Sequence, residues 1–117
     1  IDIKAPDKEE CEELLLAALL QGLAKLSAEQ LVVFKLTIPS KPDLYAPVIK
    51  HPNTIRVVAL SGGYSSDEAC RLLAASPGMI GSFSRAFAEG LSAQQTDEEF
   101  TETLDRSTEM IYQASST

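Results

Sequence analysis

Three features of the chain have residue types and spacing that could do chemistry. The first is Lys35, set in the middle of the apolar run Leu31–Ile38. Burying an ammonium group is expensive unless it is paired or gives up its proton. A lysine enclosed in a dry interior can attack a carbonyl carbon and form a Schiff base. A lysine in a strand can equally be an edge gatekeeper or a snorkelling surface residue. The second feature is LSGGYSSDEA, Leu60–Ala69. Two glycines lie between an apolar run and an S-x-x-E capping box made by Ser65 and Glu68. That order exposes backbone N–H groups beside a positive helix end, a cradle for an anion. It also describes a plain strand-to-helix turn in which glycine supplies a positive φ. The stretch matches neither the P-loop nor the full G-x-G-x-x-G fingerprint. The third is GSFSRAF, Gly81–Phe87, with two serines and Arg85. Arginine can grip a phosphate bidentately, or form an exposed ion pair with one of the many acids.

The elements that must position these residues alternate in kind. Pro6 and Asp7 open a helix expected over 7–26, with acids in its first turn. Its apolar stripe is Cys11, Leu14, Leu15, Ala18, Leu19, Gly22 and Leu23, widened by Leu16 and Leu20. Strands are expected over 31–38, 54–61 and 79–84, and Ile1–Ile3 reads as the tail of a fourth. A short helix disturbed by Pro47 is expected over 43–50, and a capped helix over 65–74. Thr96 and Glu99 form a second capping box, opening a helix over 97–114 with Phe100, Leu104, Met110 and Ile111 as its stripe. Thr103 and Ser107 fill the same face. Strands apolar on both faces, separated by helices, are the signature of βαβ units and a parallel sheet. The fold class is therefore α/β, part of a doubly wound sheet or of a barrel. No repeat, low-complexity tract or linker divides residues 1–117.

In either architecture ligands meet the carboxyl ends of the strands. Val33, Lys35 and Thr37 share one strand face, and Phe34, Leu36 and Ile38 share the other. In a barrel the bulky set would pack under helices and leave lysine and threonine inside. Lysine, glycine cradle and arginine then fall along one rim. An amine nucleophile beside an anion site suits a sugar phosphate.

Composition narrows the partners. The chain carries 10 basic and 17 acidic residues, a net charge of −7, with 44% hydrophobic and 23% charged residues. The clustered positive face of a nucleic-acid or anionic-membrane binder is missing, so any anion must be captured by a local pocket. No apolar run approaches the roughly 20 residues of a membrane span. Cys11 and Cys70 lack ligand-like spacing and read as reduced thiols of a cytosolic protein, although one disulfide is arithmetically open. His51, the only histidine, leaves neither a zinc site nor a Ser-His-Asp set to build. Glu98 and Glu99 sit at a helix start and read as cap and solvated face, not as a glycosidase pair. The first residue is Ile1 rather than Met, without signal architecture, as expected of a processed or excised chain.

The motifs KLTIP (Lys35–Pro39), VVALSGGYS (Val57–Ser65), GSFSRAFAEGLSAQQTDEEF (Gly81–Phe100) and IYQAS near the end resemble class I fructose-bisphosphate aldolases. The likeness is to the shorter, largely prokaryotic branch and covers nearly the whole chain. It implies a TIM (β/α)8 barrel, of which residues 1–117 would be the C-terminal part, about strands six to eight with their helices. It implies a metal-independent, cytoplasmic lyase of glycolysis and gluconeogenesis. Such an enzyme cleaves fructose 1,6-bisphosphate reversibly to dihydroxyacetone phosphate and glyceraldehyde 3-phosphate. Lys35 falls on the Schiff-base lysine. Ser61, Gly62 and Gly63 fall on the seventh-strand phosphate loop, and Ser84 and Arg85 on the eighth-strand phosphate site. Ser84 stands where the muscle-type branch has glycine. The family's acid/base glutamate, its first-strand aspartate and its fourth-strand lysine fall upstream of Ile1. The expected partners are therefore a sugar phosphate, the N-terminal barrel segment and a homo-oligomer. Two alternatives stand beside this reading. One is another Schiff-base barrel, such as deoxyribose-phosphate aldolase or transaldolase, and the other is a non-catalytic fragment.

Overall fold

Parallel pairing of three apolar runs organises the chain, and a computed structural model describes all residues from Ile1 to Thr117. The elements are α1 (Lys8–Leu23), β1 (Val32–Thr37), α2 (Ala46–Ile49), β2 (Thr54–Leu60), α3 (Ser66–Ala74), β3 (Met79–Gly81) and α4 (Asp97–Ser115). The strands form one parallel sheet in the order β1-β2-β3. Lys35 pairs with Val58, and Val58 with Ile80, so these three side chains project from the same face.

The two faces differ sharply. Ile38, Val57, Ala59 and Met79 are fully buried in a core completed by Leu23, Tyr45, Val48, Leu73 and Ala114 from the helical side. Phe34 and Leu36 pack against the same core. The opposite face contributes nothing to it. There Val33 is 55% exposed and Lys35 is exposed, while Val58, Leu60 and Ile80 are half-buried. Apart from Thr37, buried where Ile1 and the Gly62 turn close over it, the strand burial that excludes water lies on the helical side, and Lys35 stands on the side without a helical cover.

Several boundaries differ from the sequence expectation, each for a local reason. The helix expected over 7–26 ends at Leu23, because the Lys25 and Leu26 amides bond only three residues back, to Gly22 and Leu23. Its buried stripe is also rotated. Leu14 is 67% exposed, and the buried line begins with Lys8 and Glu12 before Leu15, Leu16, Leu19, Leu20 and Leu23. The expected short helix at 43–50 is only Ala46–Ile49, and Pro47 sits in its first turn, where no amide is needed. Asp43 precedes it in a left-handed conformation, φ 60°.

β3 is shorter than the expected 79–84. It is a sheet edge with one neighbour, and after the Ser82 amide bonds Ala59 O at 2.8 Å the chain turns away. Glycine at 81 lets α3 and α4 lie close, since a Cβ there would meet Ile111 at 2.8 Å and Leu73 at 3.1 Å. The Thr96–Glu99 capping box is complete. The Ser65–Glu68 pair makes only half of one: Ser65 Oγ accepts from the Glu68 amide, while the Glu68 carboxylate turns to Arg71. On α4 the deepest side chains are Ser107 and Ala114, and Phe100 stays 39% exposed. Ile1–Ile3 forms no strand and lies instead across the turn that follows β2. No helix is long and apolar enough to cross a membrane.

Candidate active site

The carboxyl ends of β1, β2 and β3 enclose a cavity of about 220 Å³ lined by Lys35, Leu60, Ser61, Gly62, Ser82, Ser84 and Arg85. Five of the six residues singled out in the sequence share this one cavity. Gly63 lines the adjoining hollow of about 350 Å³ with Tyr64, Ser65, Arg85, Ala86 and Glu89, so Arg85 borders both.

Strand alternation supplies the lysine. Phe34 and Leu36 must turn into the helical core, which sends Lys35 to the other face. Its ammonium donates a hydrogen bond to Ser82 Oγ at 3.1 Å. Lys35 is exposed, so the dry enclosure expected of a buried lysine is not built by these residues.

The glycine turn is fixed by two independent constraints. Gly62 and Gly63 have φ of 65° and 107°, which glycine adopts without the penalty of a Cβ. A Cβ on Gly62 would also stand 2.9 Å from Ile3 Cγ2 and 3.0 Å from Thr37 Cγ2. The turn closes with the Tyr64 amide donating to Ser61 O at 3.0 Å, and Ser65 then caps α3. The first amide of α3 is not open to a ligand: Ser66 N donates to Glu89 Oε2 at 2.7 Å. Glu89 follows Arg85 in the next loop, so it ties the two loops of the site together. The glycine turn and Arg85 line the same two adjoining hollows, Gly62 in one and Gly63 in the other. Arg85 forms no ion pair within the chain, which leaves its charge uncommitted.

Ser82 is the site residue that sequence reasoning missed. It lies two positions beyond Ile80, the residue in register with Val58 and Lys35, so period-two parity marks it for the lysine face. His51 belongs to the far end of the sheet. Its Nδ1 accepts from the Asn53 amide at 3.2 Å, just before β2 begins. Both cysteines are free, with Cys70 buried and Cys11 half-buried. Burial, then the charge of Asp67, pushes the Cys70 thiol pKa up, away from reactivity. No three His, Cys, Asp or Glu side chains converge as a ligand set.

No protein-family model matches the chain. Curated relatives do. Over all 117 residues the chain is 50% identical to a protein of Clostridium acetobutylicum and 52% identical to one of Synechocystis sp.. Both are named fructose-bisphosphate aldolase class 1, and the chain covers 40% and 39% of their lengths. Along its whole length the chain is thus homologous to the class 1 fructose-bisphosphate aldolases, and it spans about 40% of the length of the relatives it matches.

Proposed function

We propose that these residues form strands six to eight of a (β/α)8 barrel and carry the nucleophile and phosphate grip of a Schiff-base fructose-bisphosphate aldolase. One observation carries the reading: Lys35, Gly62 and Arg85 share a single cavity on the sheet face that lacks a helical cover. A barrel interior is such a face, closed by further strands rather than by helices. Those strands, supplied by the remainder of the relatives' length, would also provide the desolvation Lys35 lacks here.

The chemistry follows from the groups present. The neutral Lys35 amine attacks the C2 ketone of fructose 1,6-bisphosphate, and loss of water gives a protonated imine. Cleavage of the C3–C4 bond leaves its electron pair delocalised into that imine, and glyceraldehyde 3-phosphate departs. Protonation at C3 and hydrolysis then release dihydroxyacetone phosphate and restore the amine. Ser82 Oγ, accepting from Nζ, holds the amine toward the cavity. Arg85 and the Ser61–Gly63 turn hold one phosphate, with Ser84 beside them. The imine is the electron sink, so the scheme assigns no metal. Proton transfer at the C4 hydroxyl needs a group from outside residues 1–117, and these residues alone should turn over little substrate. A glycolytic role in the cytoplasm and assembly with a second copy belong to the same proposal.

The test is trapping. The full-length polypeptide carrying these residues is incubated with dihydroxyacetone phosphate, reduced with borohydride and mapped by mass spectrometry. The expected adduct is on Lys35, and its absence overturns the reading.

A further inference from the structure

Lys8 and Glu12 are buried without any apolar reason to be. Lys8 is 5% exposed and Glu12 0%, on the first two turns of α1. They pair with each other at i, i+4. Their remaining contacts converge on one short stretch far away in sequence. Lys8 Nζ donates to Ile38 O at 3.1 Å and is 2.8 Å from Ser40 Oγ. Glu12 Oε2 accepts from the Ser40 amide at 3.0 Å.

That stretch is where the chain leaves β1, immediately beyond Lys35 and Thr37. Sheet pairing with β2 ends at Thr37, and Pro39 has no amide, so Ile38 O and Ser40 N have no ladder partners of their own. The ion pair supplies those partners. Thr37 in turn abuts the glycine turn, its Cγ2 only 3.0 Å from where a Gly62 Cβ would lie. The contacts thus run from α1 through the exit of β1 to the anion side of the site.

A buried ion pair is a poor device for stability, because desolvating both charges offsets their attraction, and apolar replacements of similar volume are often neutral or stabilising. Its use here is geometric. We propose that Lys8 and Glu12 are positioning residues for the lysine site, fixing the Ile38–Ser40 exit of β1 and through Thr37 the turn at Gly62. The inference rests on the aldolase reading given above.

The experiment compares the full-length wild type with Lys8→Met/Glu12→Leu, which removes both charges together, and with Ser40→Ala, which removes the hydroxyl contact alone. For the double variant the expected result is a lowered Tm, because Ile38 O and Ser40 N lose their partners, and a kcat lowered about tenfold, with KM within about twofold. Trapping at Lys35 with dihydroxyacetone phosphate should slow in parallel. Ser40→Ala should move kcat the same way by a smaller factor at wild-type Tm, and it decides the matter if the double variant does not fold. Wild type that traps at Lys35, with a folded double variant of unchanged kcat or a Ser40→Ala variant of unchanged kcat, overturns the positioning role alone. Wild type that fails to trap at Lys35 overturns the aldolase reading and the inference with it.

Discussion

Lys35 on β1 reaches across β2 to place its Nζ 3.1 Å from Oγ of Ser82, just past the end of β3. One hydrogen bond therefore spans the whole width of the sheet, above the half-buried Val58 and Leu60. A lysine side chain has four rotatable carbons and would otherwise sample many directions from an uncovered face. The bond selects the direction that overlies the cavity shared with Gly62 and Arg85.

Replacing Ser82 by alanine removes that selection without disturbing the core. A hydrogen bond to a charged group contributes roughly 1.5–3 kcal/mol. Ser82→Ala should therefore slow borohydride trapping at Lys35 by about tenfold or more at unchanged Tm. Trapping at the wild-type rate would show that the serine does not orient the amine.

Arg85, like Lys35, forms no ion pair within the chain, and under the proposed function its contribution should appear in binding. On the aldolase reading proposed above, Arg85→Ala in the full-length polypeptide should raise KM for the bisphosphate by about tenfold to a hundredfold. Arg85→Lys should recover part of the loss, because it restores the charge but not the planar fork. Steady-state kinetics with competitive inhibition by inorganic phosphate measures both. An unchanged inhibition constant in Arg85→Ala would move the phosphate elsewhere.

Gly62 is held by conformation and contact together. A left-handed φ of 65° costs an alanine about 1 kcal/mol, and the Cβ would press Ile3 at 2.9 Å and Thr37 at 3.0 Å. Gly62→Ala should lower stability by about 1–3 kcal/mol in denaturant unfolding. It should also weaken phosphate inhibition, because relief of the overlap must move the turn itself. A stability loss without any change in phosphate binding would restrict the glycine to a folding role.

The parallel sheet was legible because its strands are short apolar runs separated by helices, and the lysine face because side chains alternate along a strand. Phe34 and Leu36 had to face the helices, which left Lys35 only one direction. The Thr96–Glu99 box was legible because capping is local. What escaped was the choice of partner made by individual polar side chains. Lys8 and Glu12 at i, i+4 look like an ordinary surface pair, and only their approach to Ser40 makes them interior. Glu68 reads as the second arm of a capping box until Arg71, on the next turn, takes its carboxylate. Asn53 is similar. Its side-chain Nδ2 donates to Ser27 O and Gln30 O, both at 2.7 Å, holding the α1–β1 connection against the start of β2. Residue type permits such a clamp, and no periodicity announces it.

The last prediction concerns Tyr45, buried beside Glu12. Burial, and then the charge of Glu12, pushes its phenol pKa up from 10.0 to about 12. The folded state therefore favours the protonated phenol more than the unfolded chain does. This contribution is fully present below pH 10 and is lost as pH rises toward 12, where the unfolded phenol ionises and the folded one resists. The loss is on the order of 2 kcal/mol, from two pKa units at about 1.4 kcal/mol each, less some relief from local opening. Tyr45→Phe keeps the ring and removes the titration. Chemical denaturation of both proteins across pH 9 to 12 isolates the effect, because the two share every other ionisable group. The wild type should lose stability faster than the variant over that interval, and parallel curves would mean that Tyr45 ionises in the folded protein as readily as in the open chain.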